Sequence, residues 1–204
     1  AVWNEKEQTL MLARDFFGIK PVYYAEIDGH FVFASEIKSI LAFPGYERKV
    51  NQKALEQYLS FQYAPLEETF FKGIYKLMPG HMLLYKNGNY EIKTYFKTKL
   101  TPGKWNRKTN MDQLRSQLAE ILRDSVKHHM LSDVEVGAFL SGGVDYGYLA
   151  SASGADQAFT VGFDEGDRYS EVNKAAKVAE KAGLKHHVKI ISKQEFWDRL
   201  EEHT

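Results

Sequence analysis

Cysteine is absent from all 204 residues, which excludes disulfides, thiolate metal sites and a cysteine nucleophile from this chain. Net charge is absent too, because 27 Lys plus Arg offset 27 Asp plus Glu. Composition therefore offers no electrostatic grip on nucleic acid or on an anionic membrane surface. No apolar run reaches the roughly 18–20 residues that span a bilayer, and the opening AVWNEKEQTL lacks the apolar stretch of a signal peptide. Two phosphate-loop signatures are also missing, G-x-x-x-x-G-K-S/T and G-x-G-x-x-G. The expectation is a cytoplasmic protein with neither a nucleic-acid nor a membrane partner.

What is present can build a core: 44% of the residues are hydrophobic and 14% aromatic. Residues 9–35 read as short strands, TLMLARD, PVYYAEI and HFVFAS, with a hairpin turn at Asp28-Gly29. Ser35 is a candidate cap for a short helix over SEIKSILAF, stopped by Pro44-Gly45, and Asn51 for a second over QKALEQYLSF, with Leu55, Tyr58 and Leu59 on one face. Strands return at GIYKL, HMLLYK and YEIKTYF, punctuated by Pro79-Gly80 and Asn87-Gly88. Residues 97–109, KTKLTPGKWNRKT, carry Pro and Gly without periodicity and read as a linker; Lys97, Lys99, Lys104, Arg107 and Lys108 are its solvated charges.

After the linker, Asn110 is placed to cap a long helix with Leu114, Leu118, Ile121, Leu122 and Met130 at helical spacing. Strand and helix patterns then alternate through VEVGAFL, VDYGYLASAS, QAFTVGF, SEVNKAAKVAEKAG, KHHVKII and SKQEFWDRLEEH. That alternation predicts an α/β unit on a parallel sheet. The division is 1–96, an α+β unit, 97–109, a linker, and 110–204, the α/β unit. Three strands make a small open sheet, so this unit is expected to be incomplete.

The chemistry concentrates at AFLSGGVDYGYLAS. A strand that runs through Ser-Gly-Gly into a helix is an anion site, because first-turn N–H groups lack partners and the helix dipole favours negative charge. Consecutive glycines allow close approach of phosphate oxygens and permit positive φ. Asp145 cannot bind phosphate but can hold a Mg²⁺ that does. The structural alternative is a plain βα turn.

AFLSGGVD resembles the S-G-G-x-D-S pyrophosphate loop of the N-type ATP pyrophosphatases, and the flanking motifs select within that group. LARDFFGIKPVYY, FVFASEIKSIL and FKGIYKLMPGHMLLY resemble the glutaminase domain of glutamine-dependent asparagine synthetases. LSDVEVGAFLSGGVD and FTVGFDEGDRYSEVNKAAKVAEKAGLKHH resemble the start of their synthetase domain. The resemblance implies part of an N-terminal-nucleophile glutaminase domain followed by part of a Rossmann-like ATP-pyrophosphatase domain. It also implies aspartate adenylation with ATP and Mg²⁺, amide formation with ammonia from glutamine, and a homodimer as an assembled form compatible with the family. Carried over, Ser141, Gly142, Gly143 and Asp145 hold pyrophosphate and Mg²⁺, while Leu140 and Val161 contact adenine or ribose. The family's N-terminal cysteine and later acidic glycine-rich stretch are not found, so the chain is expected to be a central fragment, inactive as it stands. A non-catalytic homologue, or an amide-forming synthetase of the β-lactam or peptide-cyclising type, stays open. The departure at Tyr146-Gly147, where the family has small hydroxyl residues, motivates the former.

Other residues carry a structural reading beside a functional one. Arg14 and Asp15 favour structural ion pairing over an interface or ammonia-tunnel role, and Glu36 a capping turn over the same role. The pairs His128-His129 and His186-His187 point to different sides of their elements and have no ligand-spaced carboxylate, which disfavours a metal. Tyr169, Ser170 and Glu171 stand at the family's acidic turn, as a helix-start charge or a ligand contact. Tyr23, Tyr24, Phe31, Phe33 and Tyr58 read as core.

Overall fold

The computed structural model describes residues 1–99, 110–164 and 170–200. The chain divides into two compact units, Ala1–Pro102 and Gly103–Thr204. The rest of the basic segment at 100–109, Tyr169 and the chain end from 201 fall outside the described residues.

The first unit contains β1 (Val2–Asn4), β2 (Thr9–Ala13), β3 (Tyr23–Ile27), β4 (His30–Ala34), α1 (Ile37–Leu41), α2 (Gln52–Phe61), β5 (Ile74–Lys76), β6 (His81–Lys86) and β7 (Asn89–Thr94). They form two antiparallel sheets, ordered β1-β2-β6-β7 and β4-β3-β5. Alternation along β3 builds the layers. Tyr24 packs with Leu12 and Leu83 of the other sheet and with Leu77. Ala25 and Ile27 face the opposite way, onto Ile40 of α1 and Ile74. Both predicted hairpin turns have two successive positive φ values, 47° and 76° at Asp28-Gly29 and 51° and 77° at Asn87-Gly88. Those are the left-handed pairs that the tightest hairpins need and that Asx-Gly supplies at low cost.

Several expectations are corrected. Ser35 does not cap α1; the helix starts one residue later, with Glu36 extended at the cap position and no side-chain cap bond. Asn51 occupies the cap position of α2, but its side chain accepts nothing there. Tyr58 and Leu59 do not form a buried face, being 43% and 75% exposed, and Phe33 is exposed as well. The strand β1 pairs at the sheet edge from a stretch too short to signal one.

The second unit contains α3 (Met111–His129), β8 (Ala138–Phe139), α4 (Val144–Ser153), β9 (Gln157–Phe163), α5 (Val172–Ala182), β10 (Lys185–Ile191) and α6 (Lys193–Asp198). Its sheet is wholly parallel, ordered β10-β9-β8. Asn110 caps α3 as predicted, its side chain accepting from the amides of Asp112 and Gln113. Only two residues of VEVGAFL pair as a strand. One sheet face packs on α4 and α5 through small residues, Ala150, Ala158, Ala175 and Ala179, with Leu140. The other face leaves Phe139, Phe159, Val161 and Phe163 between 41% and 76% exposed. Among the described residues no helix is long and apolar enough to cross a membrane.

Candidate functional site

The site lies in the second unit, where β8 ends and α4 begins. Leu140, the last residue before the loop, is tied to β9 at both backbone groups. Its N–H donates to Phe159 O at 2.9 Å, and its carbonyl accepts the buried Thr160 hydroxyl at 2.7 Å. Thr160 has a single proton to give. The 2.7 Å contact to His186 Nε2 is therefore one in which the imidazole donates and Thr160 Oγ1 accepts. The chain His186–Thr160–Leu140 anchors the loop's start to the sheet.

Replacing Thr160 with valine leaves the Leu140 carbonyl without that donor in a buried setting, an expected cost of about 1–3 kcal/mol. Thr160→Ser keeps the hydroxyl and is expected to lose less than about 1 kcal/mol. Denaturant melts decide this, and a valine variant as stable as the serine variant would show that the hydroxyl is not the anchor.

Beyond Leu140, the Ser141 hydroxyl accepts from the Gly143 amide at 3.2 Å. Gly143 is the helix cap position, with φ −79° and ψ 156°. Positive φ is thus not what these glycines supply, contrary to the expectation; close approach is. A Cβ on Gly142 would lie 2.7 Å from Lys174 Cβ and 2.8 Å from Lys174 Cδ. The next amides of α4 have no intrahelical acceptor and face outward with the positive end of the helix dipole. Asp145 stands exposed in that first turn and makes no ion pair or side-chain hydrogen bond among the described residues.

Gly142, Gly143, Gly147 and Ser151 line one side of a groove of about 690 Å³, with Val178 and Lys181 of α5 opposite. Tyr146 is turned to the other flank of α4. There it shares a cavity of about 400 Å³ with Leu149, Ser153 and the α3 residues Ser125, Val126 and His129. The Tyr146 ring therefore points between α3 and α4, away from the glycine groove.

Leu140 and Val161 lie on neighbouring strand tracks, but the period-2 alternation puts their side chains on opposite sheet faces. Leu140 is 4% exposed in the helix-side core and Val161 is 48% exposed on the open face. A ligand touching both would meet Leu140 through its backbone. Ser170 comes close to Gly162 at the end of β9, its Oγ 3.2 Å from the position of a Cβ there. Glu171 occupies the cap position of α5 without a side-chain cap bond. His187 stacks on Phe159 at 4.9 Å and contacts Gln157 Oε1 at 2.8 Å. His128 and His129 each turn back to a carbonyl of their own helix, those of Asp124 and Ser125.

The three first-unit candidates hold local structure. Arg14 is not ion-paired with Asp15; its guanidinium donates to the carbonyls of Gly18, Lys20 and Leu77. Asp15 accepts the amides of Phe17, Ile19 and Lys20. Glu36 pairs with Lys38 at 2.7 Å on the surface. The amides of Lys20 first, then Ile19, hold the Asp15 carboxyl below its ordinary 3.8. This contribution is complete above the unfolded-state value and fades as pH falls through the depressed folded one. Amide exchange at Phe17, Ile19 and Lys20 is expected to stay protected while ordinary carboxylates titrate and to quicken only below that range. Exchange that rises together with that of other loops would contradict it.

Thr160 and Lys174 are the site residues that sequence reasoning missed. Each had a signal: a polar residue on the packed face of an apolar strand, and a cation in the first turn of a helix.

Two family models match the chain, the glutamine amidotransferase domain over residues 1–96 and asparagine synthase over residues 117–204. Asparagine synthetase (glutamine-hydrolyzing) 1 of Bacillus subtilis is 36% identical over 98% of this chain and 31% of its own length. A putative asparagine synthetase (glutamine-hydrolyzing) of Mycobacterium bovis is 34% identical over 99% of this chain and 32% of its own. Among solved structures, the NH3-dependent NAD synthetase of Campylobacter jejuni aligns with a TM-score of 0.30 at 17% identity, over 47% of this chain and 42% of that one. The chain thus spans about a third of the length of these two synthetase relatives.

Proposed function

Because the chain belongs to the asparagine synthetase family, we propose that its second unit binds ATP at residues 141–145 and that the full-length protein converts aspartate to asparagine. The single observation that carries this is the loop itself. The Gly142 backbone has no room for a side chain, Ser141 and Gly143 are locked together, and the free first-turn amides of α4 open beside them. In the proposed reaction, a side-chain carboxylate oxygen of aspartate forms a bond to the α-phosphorus of ATP. The bond from that phosphorus to the bridging oxygen breaks, and pyrophosphate leaves with the electron pair. Ammonia then adds to the acyl carbon, AMP departs, and a proton passes to solvent. The amidotransferase match over 1–96 supports glutamine as the ammonia source.

The residues of this chain act by placing and neutralising charge. The α4 amides face the leaving phosphates without needing to reorganise, which is where electrostatic catalysis gains most. The Thr160–Leu140 tie fixes where those amides point, and correct placement of reacting groups is a large share of rate. Among the described residues no three His, Cys, Asp or Glu side chains form a metal cage. A lone Asp145 at the loop fits Mg²⁺ held chiefly by phosphate oxygens and water. When bound, that ion supplies positive charge to the phosphates.

The test is exchange of labelled pyrophosphate into ATP by the full-length protein. Exchange that requires aspartate supports the proposal. No exchange with aspartate, or exchange only with a different carboxylic acid, refutes it.

A further inference from the structure

We propose that Lys174 supplies the side-chain positive charge that holds the departing pyrophosphate at this loop. The inference rests on the reading of residues 141–145 as an ATP site and adds to it a residue from a different element.

The loop and α4 are short of positive charge. Residues 138–153 contain no Lys, Arg or His, and their one acidic residue is Asp145. A triphosphate at this loop therefore meets neutral donors, a helix dipole and a carboxylate of its own sign. Its counter-charge has to come from a neighbouring element or from a cation.

α5 brings one. Lys174 lays its aliphatic stem across the face of Gly142, with Cβ, Cδ and Cγ at 2.7, 2.8 and 3.3 Å from the position a Gly142 Cβ would take. The ammonium is two single bonds beyond Cδ, so it stays within about 2.5 Å of that atom whatever the last torsions are. The contact with Gly142 thus keeps the positive charge within about 5.3 Å of the Gly142 Cβ position, near the start of α4. Among the described residues Lys174 has no ion pair and no side-chain hydrogen bond. Glu171, one turn before it, and Asp145, in the loop, are both without a partnership to it.

Its place in the helix is a second, separate indication. Lys174 is the third residue of α5, and that first turn contains no acidic residue. A cation there faces the positive end of the helix dipole, an unfavourable position by about 0.3–1 kcal/mol. Local rules are broken in this way where a ligand makes up the loss. The stem also explains why Gly142 must lack a side chain even when no ligand is bound.

Pyrophosphate gains charge when it separates from the α-phosphorus, so a fixed cation acts more strongly on the separating state than on bound ATP. Lys174→Met keeps the stem on Gly142 and deletes the charge, whereas Lys174→Arg keeps a charge. In the full-length protein, Lys174→Met is expected to lower kcat for aspartate-dependent pyrophosphate exchange about tenfold or more. It should weaken inhibition by added pyrophosphate by about the same factor and leave KM for aspartate unchanged. Lys174→Arg should recover most of both losses. Pyrophosphate inhibition of the wild type should also fall more steeply with salt than that of the methionine variant, which a packing role would not produce. Lys174→Gln, polar and uncharged, should match methionine and guards against a folding defect in either variant. If wild type exchanges pyrophosphate and Lys174→Met or Lys174→Gln does so with equal pyrophosphate affinity, the role of Lys174 is overturned and the ATP site stands. If wild type shows no exchange and no pyrophosphate inhibition, both fall.

Discussion

Gly142→Ala is expected to reduce aspartate-dependent pyrophosphate exchange by the full-length protein about a hundredfold, with a smaller loss of stability. The added methyl would sit 2.7 Å from Lys174 Cβ. That atom is fixed to the α5 backbone and cannot swing aside like a side-chain tip, so the loop or the helix must shift. Over-packing of this kind costs about 1–3 kcal/mol of stability. The larger effect is on rate, because a displacement of about 1 Å in a positioning group is enough to lose a hundredfold. Gly147→Ala is the control on the same helix. Its nearest neighbour, Val178 Cγ1, would be at 3.5 Å, an ordinary contact, and alanine is the better helix former by up to about 1 kcal/mol. Gly147→Ala should lose far less exchange than Gly142→Ala and raise stability slightly. Equal exchange in Gly142→Ala and Gly147→Ala would remove close backbone approach as the reason for the first glycine.

Gly80→Ala should be the most damaging single methyl in the first unit, with an expected loss of about 2–5 kcal/mol. Two costs add. Gly80 has φ +68°, a conformation that costs a side-chain-bearing residue about 1–2 kcal/mol. Its added Cβ would also fall inside contact distance of the Phe96 carbonyl oxygen, a backbone atom, and relieving that overlap costs about 1–3 kcal/mol more. The turn cannot drift away, because Gly80 N donates to Asp15 O at 2.9 Å while Gly80 O accepts from Tyr95 N and Phe96 N at 2.9 and 3.1 Å. Gly29→Ala separates the two costs. Gly29 has φ +76° but nothing within 4 Å of its Cβ position, so only the conformational cost remains. Denaturant unfolding of both variants measures the difference. If Gly80→Ala loses no more than Gly29→Ala, the Phe96 contact does not constrain the turn.

The legible parts of the fold were those written in neighbouring residues. Asp28-Gly29 and Asn87-Gly88 announce their turns because the required φ values are properties of those residues. Asn110 announces its cap because its oxygen reaches amides two and three positions on. Capping at Ser35 and Asn51 failed for a complementary reason: the local pattern was compatible with a cap, but the helix start and its partners are not fixed by that pattern alone. In the first case the entry residue became Glu36. In the second, the Asn51 amide is engaged with Phe70, far along the chain. The face expected on α2 was wrong because periodicity marks a stripe without stating whether anything covers it.

At the candidate site, the order strand, Ser141-Gly142-Gly143, helix and Asp145 was readable from the sequence alone, together with the family that order resembles. A βα turn is a local object, and its amides are free by the geometry of any helix start. What the tertiary structure decided is everything that depends on the neighbours of this turn. It set Leu140 and Val161 on opposite faces, ran Thr160 into the Leu140 carbonyl and laid Lys174 over Gly142. It also sent the Tyr146 ring to the α3 side. Those outcomes follow from strand register and helix rotation, which pair residues 20 or more positions apart. No pattern in a single stretch of chain encodes such a pairing, because it is fixed only when the alanines of α4, α5 and β9 close on one another.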